Sequence, residues 1–429
     1  MRHSPFLRLT QWVGASAYRV DLLANYLWAF VAGMLGLFLM PVYARLLGFD
    51  QWGGVALGVL IQSILAVLDA GLSQTMPRDI AAARQGQDRP GYAAYLAAYV
   101  CLAGLAIVIG VLVMPLLSRG WVSDLSLRKM SGDIVVLAAS QFAVQMCNAA
   151  NMGYWSGRQQ QALAVRRSLV FTALKHALAL SVVLWVDASA QSYFLAMLAV
   201  SVVELILNAR VVYRSESQPM RLTSAGVLAV FQSSRGVTFG VLLGMGVTQL
   251  DRLYFSRDFS AAQFGVYTMI LSLGLAFMQL QYPLMQANMP RVVSDTDLRL
   301  PGRMLRHVLI VCGIPSVVAL VSADWLIGMW LGADAVPAYA VPMFRMLVVA
   351  CLINAIYHVY YQYMVASNAA LWLSFINGVS FCFACILLAA LGDKGGMMGG
   401  VVWMAVSSVQ LLVGWQWFQS FRRRQGRSA

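Results

Sequence analysis

Apolar residues run through this chain in long blocks separated by short polar turns. A hydrocarbon layer of ~30 Å takes ~20 apolar residues in a helix to cross, and twelve blocks are long enough. They occupy residues 21–47, 52–75, 92–117, 133–155, 168–187 and 191–213, then 236–256, 262–288, 306–329, 342–366, 370–391 and 398–420. Each is predicted to be helical, because backbone groups left unpaired in hydrocarbon are costly and a helix pairs its own. The more polar stretch 214–235 reads as a linker between two sets of six.

Composition agrees with this reading. Of 429 residues 60% are apolar and only 11% charged, too few polar groups to cover a water-soluble fold of this size. The expected class is an all-α integral membrane protein. An even number of spans puts both termini on one side, and if that side is cytoplasmic its segments hold 21 of the 30 Lys and Arg, against seven on the opposite side. The positive-inside rule then predicts cytoplasmic termini. The net charge of +13 is divided among separate loops in this pattern, so it reads as a topology signal and not as a nucleic-acid surface. The first block is too long for a cleavable signal and serves as its own insertion signal.

Several enzyme readings fall away. The six cysteines all lie within predicted spans, and Cys382 and Cys385, spaced like a redox pair, read as small packing residues. Asp295-Thr-Asp297 has the spacing of a metal-holding sugar-nucleotide motif but sits in a short Arg-rich loop. Gly395-Gly-Met-Met-Gly-Gly400 lacks the Lys-Ser/Thr of a phosphate loop and reads as a flexible turn. The longest loop on the side opposite the termini, Ser118 to Gly132, is too short to house transfer chemistry. Neither a cofactor nor a metal is expected.

An internal repeat is legible. Tyr43-Ala-Arg-Leu-Leu-Gly-Phe-Asp-Gln-Trp-Gly53 is echoed by Tyr254-Phe-Ser-Arg-Asp-Phe-Ser-Ala-Ala-Gln-Phe-Gly265, and Gln74-Thr-Met-Pro-Arg78 by Ala287-Asn-Met-Pro-Arg291. The offsets of 211, 212 and 213 residues are about half the chain. They predict two pseudo-symmetric six-helix bundles of like orientation, 1–213 and 236–429, joined by a cytoplasmic linker at 214–235.

The motifs Met40-Pro-Val-Tyr-Ala-Arg-Leu-Leu-Gly48, Leu68-Asp-Ala-Gly-Leu72, Pro77-Arg-Asp-Ile-Ala81, Leu250-Asp-Arg-Leu253 and Phe264-Gly-Val-Tyr267 resemble those of the Wzx-type polysaccharide (O-antigen) flippases. These belong to the multidrug/oligosaccharidyl-lipid/polysaccharide exporter superfamily, and the resemblance covers essentially the whole chain. One departure is Val55, where the family often has Tyr; the second half keeps Tyr267. The resemblance implies a MATE-like fold in a bacterial inner membrane. It also implies a substrate carried on polyprenyl pyrophosphate and, as partners besides membrane lipids, a polysaccharide polymerase and chain-length regulator proteins.

Ionisable groups within spans are the sharpest functional candidates, since each costs at least ~2.5–3.5 kcal/mol to bury there. Lys175 and His176 in the fifth span and Glu204 in the sixth share a depth, which predicts a Lys175–Glu204 ion pair that is either structural or engaged in ligand or proton handling. Arg45, Asp251 and Arg252, near the ends of repeat-related spans, are candidates for an outer gate. Asp69, with Arg78 or Arg291, is a candidate for an inner one. Asn25, Gln62, Asn148, Asn151, Gln249, Gln281, Asn354 and Gln362 suit a sugar-binding cavity or interhelical hydrogen bonds. His358 among Tyr357, Tyr360 and Tyr361 suits contact with sugar or lipid. The coupling ion is open between H⁺ and Na⁺, with Glu204, His176 and Asp69 as candidate carriers. The expected function is flipping of a lipid-linked oligosaccharide by alternating access. A drug/cation antiporter of the same superfamily is the alternative, and a non-transporting subunit of a polysaccharide assembly complex a second.

Overall fold

The computed structural model describes the backbone of all residues except 1–4, 70, 85, 86, 88, 217–223, 294–299, 333–334, 368, 392–394 and 429. The side chains of 5–30, 32, 74, 117–119, 233–242, 286–287, 289–291, 293, 370 and 425–428 also lie outside the description. Asp295 and Asp297, and the side chains of Asn25 and Arg291, therefore fall outside it.

The described chain is helical throughout. In order come α1 (Pro5–Leu65), α2 (Leu72–Arg84), α3 (Tyr92–Val108), α4 (Met114–Trp121), α5 (Leu125–Gly157), α6 (Gln161–Trp185), α7 (Ala190–Ser215) and α8 (Ser224–Asp258). Then follow α9 (Ala261–Leu275), α10 (Gln281–Val293), α11 (Leu300–Val308), α12 (Ile314–Val321), α13 (Ala323–Leu331), α14 (Ala340–Ala366), α15 (Ala370–Leu391) and α16 (Met397–Ser428). Among the described residues ten helical stretches are long and apolar enough to cross a membrane. One of them, Gly33–Asp69, bends at Gly48 and carries the first two expected spans, while α8 carries the seventh. Gly48 turns the chain with φ +76, a left-handed value that only glycine adopts readily. The expected linker is itself largely helical where described, because α8 begins at Ser224.

The two halves share their irregularities as well as their spans. A 3₁₀ segment at Ala66–Asp69 recurs at Ala276–Leu280, and a π segment at Ile109–Val113 recurs at Leu309–Gly313. The π segments have a common cause two residues downstream, in Pro115 and Pro315. A proline has no N–H to give the carbonyl four residues back, here Val111 and Val311, and its ring crowds that carbonyl. Widening the turn relieves the clash.

The chain forms two compact units. One comprises Met1–Leu46, Gly71–Pro115 and Asp133–Gly236; the other comprises Leu47–Ala70, Leu116–Gly132 and Val237–Ala429. Residues 47–70 and 116–132, expected with the first half by sequence order, thus group with the second. Within that second unit Trp121 Nε1 donates to the Leu253 carbonyl at 3.1 Å, and the Arg257 guanidinium lies over the Trp121 ring. The glycine-rich start of α16 is closely packed and not a free turn: a Cβ on Gly396 would strike Tyr339, and one on Gly399 would strike Tyr267.

Candidate functional site

The first unit holds a chain of polar side chains inside its helix bundle. Helix α6 places Ala164, Arg167, Phe171, Lys175 and Ala179 at intervals of three or four residues, so all share one face. Helix α7 places Glu204 and Asn208 four apart, and α5 places Asn148 and Asn151 three apart. Lys175 Nζ donates to Glu204 Oε2 at 2.6 Å, the pair expected from matched depth. Both residues are the fifteenth of their helices, which have 25 and 26 residues. At 1.5 Å per residue Lys175 lies ~21 Å from the start of α6. That exceeds its distance from the start of the expected span, because α6 begins seven residues earlier.

The network extends in both directions from this pair. Asn148 Nδ2 donates to Glu204 Oε1 at 3.0 Å, and Asn148 Oδ1 accepts from Asn208 at 2.9 Å and Asn151 at 3.3 Å. Tyr92 OH donates to Asn151 at 2.8 Å, and Arg167 Nε to Asn208 Oδ1 at 2.6 Å. Glu204 is 4% exposed and Asn151 and Asn208 are fully buried, so these bonds form away from bulk solvent. The Arg167 guanidinium lies over the rings of Trp155 and Phe171, at 5.6 and 5.8 Å. Among the described residues it has no carboxylate partner, so the network carries two cations and one anion. Beside it, Tyr43 OH donates to the His176 carbonyl at 3.0 Å, and the Tyr43 ring meets Tyr193 edge-on.

Arg167 and Asn208 escaped the sequence reading. Arg167 was counted as a cytoplasmic topology charge, yet its eight-residue spacing from Lys175 already put both on one helix face. Asp79 escaped as well: it is fully buried, accepting from Tyr95 OH at 2.7 Å and from Arg78 Nε at 3.2 Å. Arg78, a candidate gate partner of Asp69, thus contacts its neighbour Asp79. Asp69 itself is half-buried at the end of its 3₁₀ segment, Gln62 is half-buried, and Arg45 is exposed.

In the second unit Asp251 is not a free gate charge. It is 1% exposed, and its Oδ2 accepts from Tyr267 OH at 2.6 Å and from Trp403 Nε1 at 3.0 Å. Arg252 turns instead to Gln249 Oε1, at 3.0 Å. Farther along, Gln281 Nε2 donates to Asn354 Oδ1 at 3.1 Å and Asn354 Nδ2 to Gln410 Oε1 at 3.0 Å. His358 Nδ1 bonds the Asn354 carbonyl at 3.0 Å, and the His358 ring contacts Tyr282, Tyr357 and Tyr361.

No family profile matches the chain, and no curated protein matches it. Solved structures do. A lipid II flippase MurJ in an inward closed conformation aligns with a TM-score of 0.73 at 10% identity, covering 92% of this chain and 87% of the other. An inward-facing multidrug resistance MATE family transporter of the MOP superfamily aligns with a TM-score of 0.65 at 13% identity, covering 92% and 99%. The MATE multidrug transporter DinF-BH in complex with rhodamine 6G aligns with a TM-score of 0.66 at 13% identity, covering 94% of each chain. The fold is MATE-like, and the proteins that share it are membrane transporters and flippases.

Proposed function

We propose that the protein is a flippase that moves a lipid-linked oligosaccharide, carried on polyprenyl pyrophosphate, from the cytoplasmic to the outer leaflet of a bacterial inner membrane. The observation that carries this reading is the buried network of the first unit with its excess of positive charge. Glu204 neutralises Lys175 and, among the described residues, leaves Arg167 against an amide and two aromatic faces. A partly buried cation with no carboxylate partner among the described residues favours an anion close by, and a diphosphate head group supplies one. The asparagines around it hold Glu204 and Arg167 in place by hydrogen bonds, while the lipid tail stays in the bilayer. Two halves rocking in alternating access would carry the head group across. An interior-negative potential would favour export of an anion by ~2.3 kcal/mol per charge per 100 mV. Glu204, His176 and Asp69 are the candidate ion carriers, and a polysaccharide polymerase is the natural consumer of the product.

A second reading, antiport of small amphipathic cations, is favoured by one observation: the same fold occurs in a multidrug transporter solved with rhodamine 6G. Reconstitution separates the two. Liposomes holding the purified protein should translocate a defined lipid-linked glycan and not rhodamine 6G, and Arg167→Gln should slow translocation at least about tenfold. Rhodamine 6G export without glycan flipping would overturn the flippase reading in favour of the second.

A further inference from the structure

Helix α14 carries Asn354, His358 and Gln362 at intervals of four residues, hence in one stripe. A run of amide hydrogen bonds lies beside this stripe. Gln410 accepts from Asn354, which accepts from Gln281, so one Gln281 amide N–H is engaged and the side-chain oxygen is left over. That oxygen is buried without a partner in a fully buried residue. The Gln362 side-chain oxygen is likewise buried without a partner among the described residues. His358 Nδ1 faces a backbone carbonyl, which only accepts, so Nδ1 carries the proton and Nε2 presents a lone pair. Two buried oxygens, one on α10 and one in the stripe, thus lack donors among the described residues, and His358 adds the Nε2 lone pair. Around it stand the rings of Tyr282, Tyr357 and Tyr361, with centroids 6.2, 5.7 and 5.2 Å from that of His358. Tyr282 is 41% exposed, so the cluster has an open side.

Buried acceptors without donors are destabilising by about 1–3 kcal/mol each, and natural structures keep few of them. Two such oxygens, on Gln281 of α10 and Gln362 of α14, call for a ligand that donates. Among the described residues none of the contacts to His358 is a carboxylate, so a cation would find no counter-charge there. Neutral hydroxyls need none, and the C–H faces of a sugar ring pack on aromatic rings. We propose that Gln281, His358 and Gln362, with Tyr282 and Tyr361, form a binding subsite for the uncharged sugar residues of the substrate. The proposal rests on the flippase reading and assigns the glycan, as distinct from the diphosphate, to its own side chains.

The test uses the full-length protein in nanodiscs and two radiolabelled probes, a polyprenyl diphosphate and the same lipid bearing a neutral disaccharide. The wild type should bind the glycosylated lipid more tightly. His358→Phe and Gln362→Met should each weaken that binding about fivefold, as for one neutral hydrogen bond, and leave the bare lipid unaffected. His358→Gln, which keeps an acceptor, should restore part of the loss, and unchanged affinity for the bare lipid reports an intact fold. Equal weakening on both probes, or none on the glycosylated one, would overturn the subsite while leaving the flippase reading standing. If the wild type binds neither lipid but binds rhodamine 6G, and His358→Phe abolishes that, the cluster is a cage for cations and both readings fall.

Discussion

Gly53 and Gly265, 212 residues apart, face each other at a single helix crossing in the second unit. A Cβ on Gly53 would fall 2.0 Å from the Ala261 carbonyl oxygen. One on Gly265 would fall 2.8 Å from the Phe49 carbonyl oxygen and 3.0 Å from the Gly53 nitrogen. Phe49 and Ala261 are themselves 212 residues apart, so each glycine receives the repeat mate of the residue that meets the other. Both obstacles are backbone atoms, which cannot rotate aside. Gly53→Leu and Gly265→Leu should therefore each lower stability by about 1–3 kcal/mol and impair transport. Gly104→Leu, with nothing within 4 Å of its Cβ position, should do neither. Thermal melts of the three purified variants check this, and equal melting temperatures would contradict the crossing.

The Lys175–Glu204 contact calls for a double-mutant cycle. Lys175→Met leaves Glu204, among the described residues, with the Asn148 amide alone, and Glu204→Gln leaves Lys175 charged at mid-helix. Each single change should cost about 3 kcal/mol, and the double change less than their sum. Simple additivity in denaturation of the purified protein would count against direct pairing.

What the sequence made legible follows from what depth encodes. Residue number along a spanning helix reports position across the bilayer, and that sufficed to match Lys175 with Glu204. It reports rotation about the helix axis only weakly when every face is apolar. Asp251 and Arg252, at one depth, were therefore read together as gate charges, whereas Asp251 is buried against Tyr267 and Trp403 and Arg252 turns to Gln249. Trp403 lies 152 residues from Asp251, beyond any local pattern. Arg167 was hidden differently, since an arginine near a span's end already had an explanation as a topology signal. The matching π segments were missed because the repeat offset falls from 213 residues at Pro77 and Pro290 to 200 at Pro115 and Pro315.

The orientation proposed from the basic residues is open to labelling. Single cysteines in a cysteine-free background at Gln87 and near the C-terminus should resist a membrane-impermeant maleimide in intact cells. One at Ser123, whose side chain is exposed, should react. Reaction at Gln87 with protection at Ser123 would invert the topology and, with it, the proposed direction of transport.

The last expectation concerns Asp251. Its repeat mate at the offset of 211 is Met40, and that of Tyr267 at 212 is Val55, so an acid and its phenol donor in one half correspond to two apolar residues in the other. The substitution is concerted for a physical reason: a buried carboxylate without donors, or a buried phenol without an acceptor, is each unfavourable alone. Tyr267→Phe should then destabilise the protein by about 1.5–3 kcal/mol, the range for a hydrogen bond to a charged group. Asp251→Met should be more harmful, because it orphans both the Tyr267 hydroxyl and the Trp403 indole N–H. Asp251→Met with Tyr267→Val and Trp403→Phe, which removes all three polar groups, should recover part of the stability. The charge exchange Arg45→Asp with Asp251→Arg discriminates the two roles considered for Asp251. A gate pair would regain function on exchange, but an arginine in place of a carboxylate that is 1% exposed and fixed by two donors leaves three groups unsatisfied. The exchange should therefore be no better than Asp251→Arg alone in both thermal stability and flipping. Rescue by the exchange would return Asp251 to the gate.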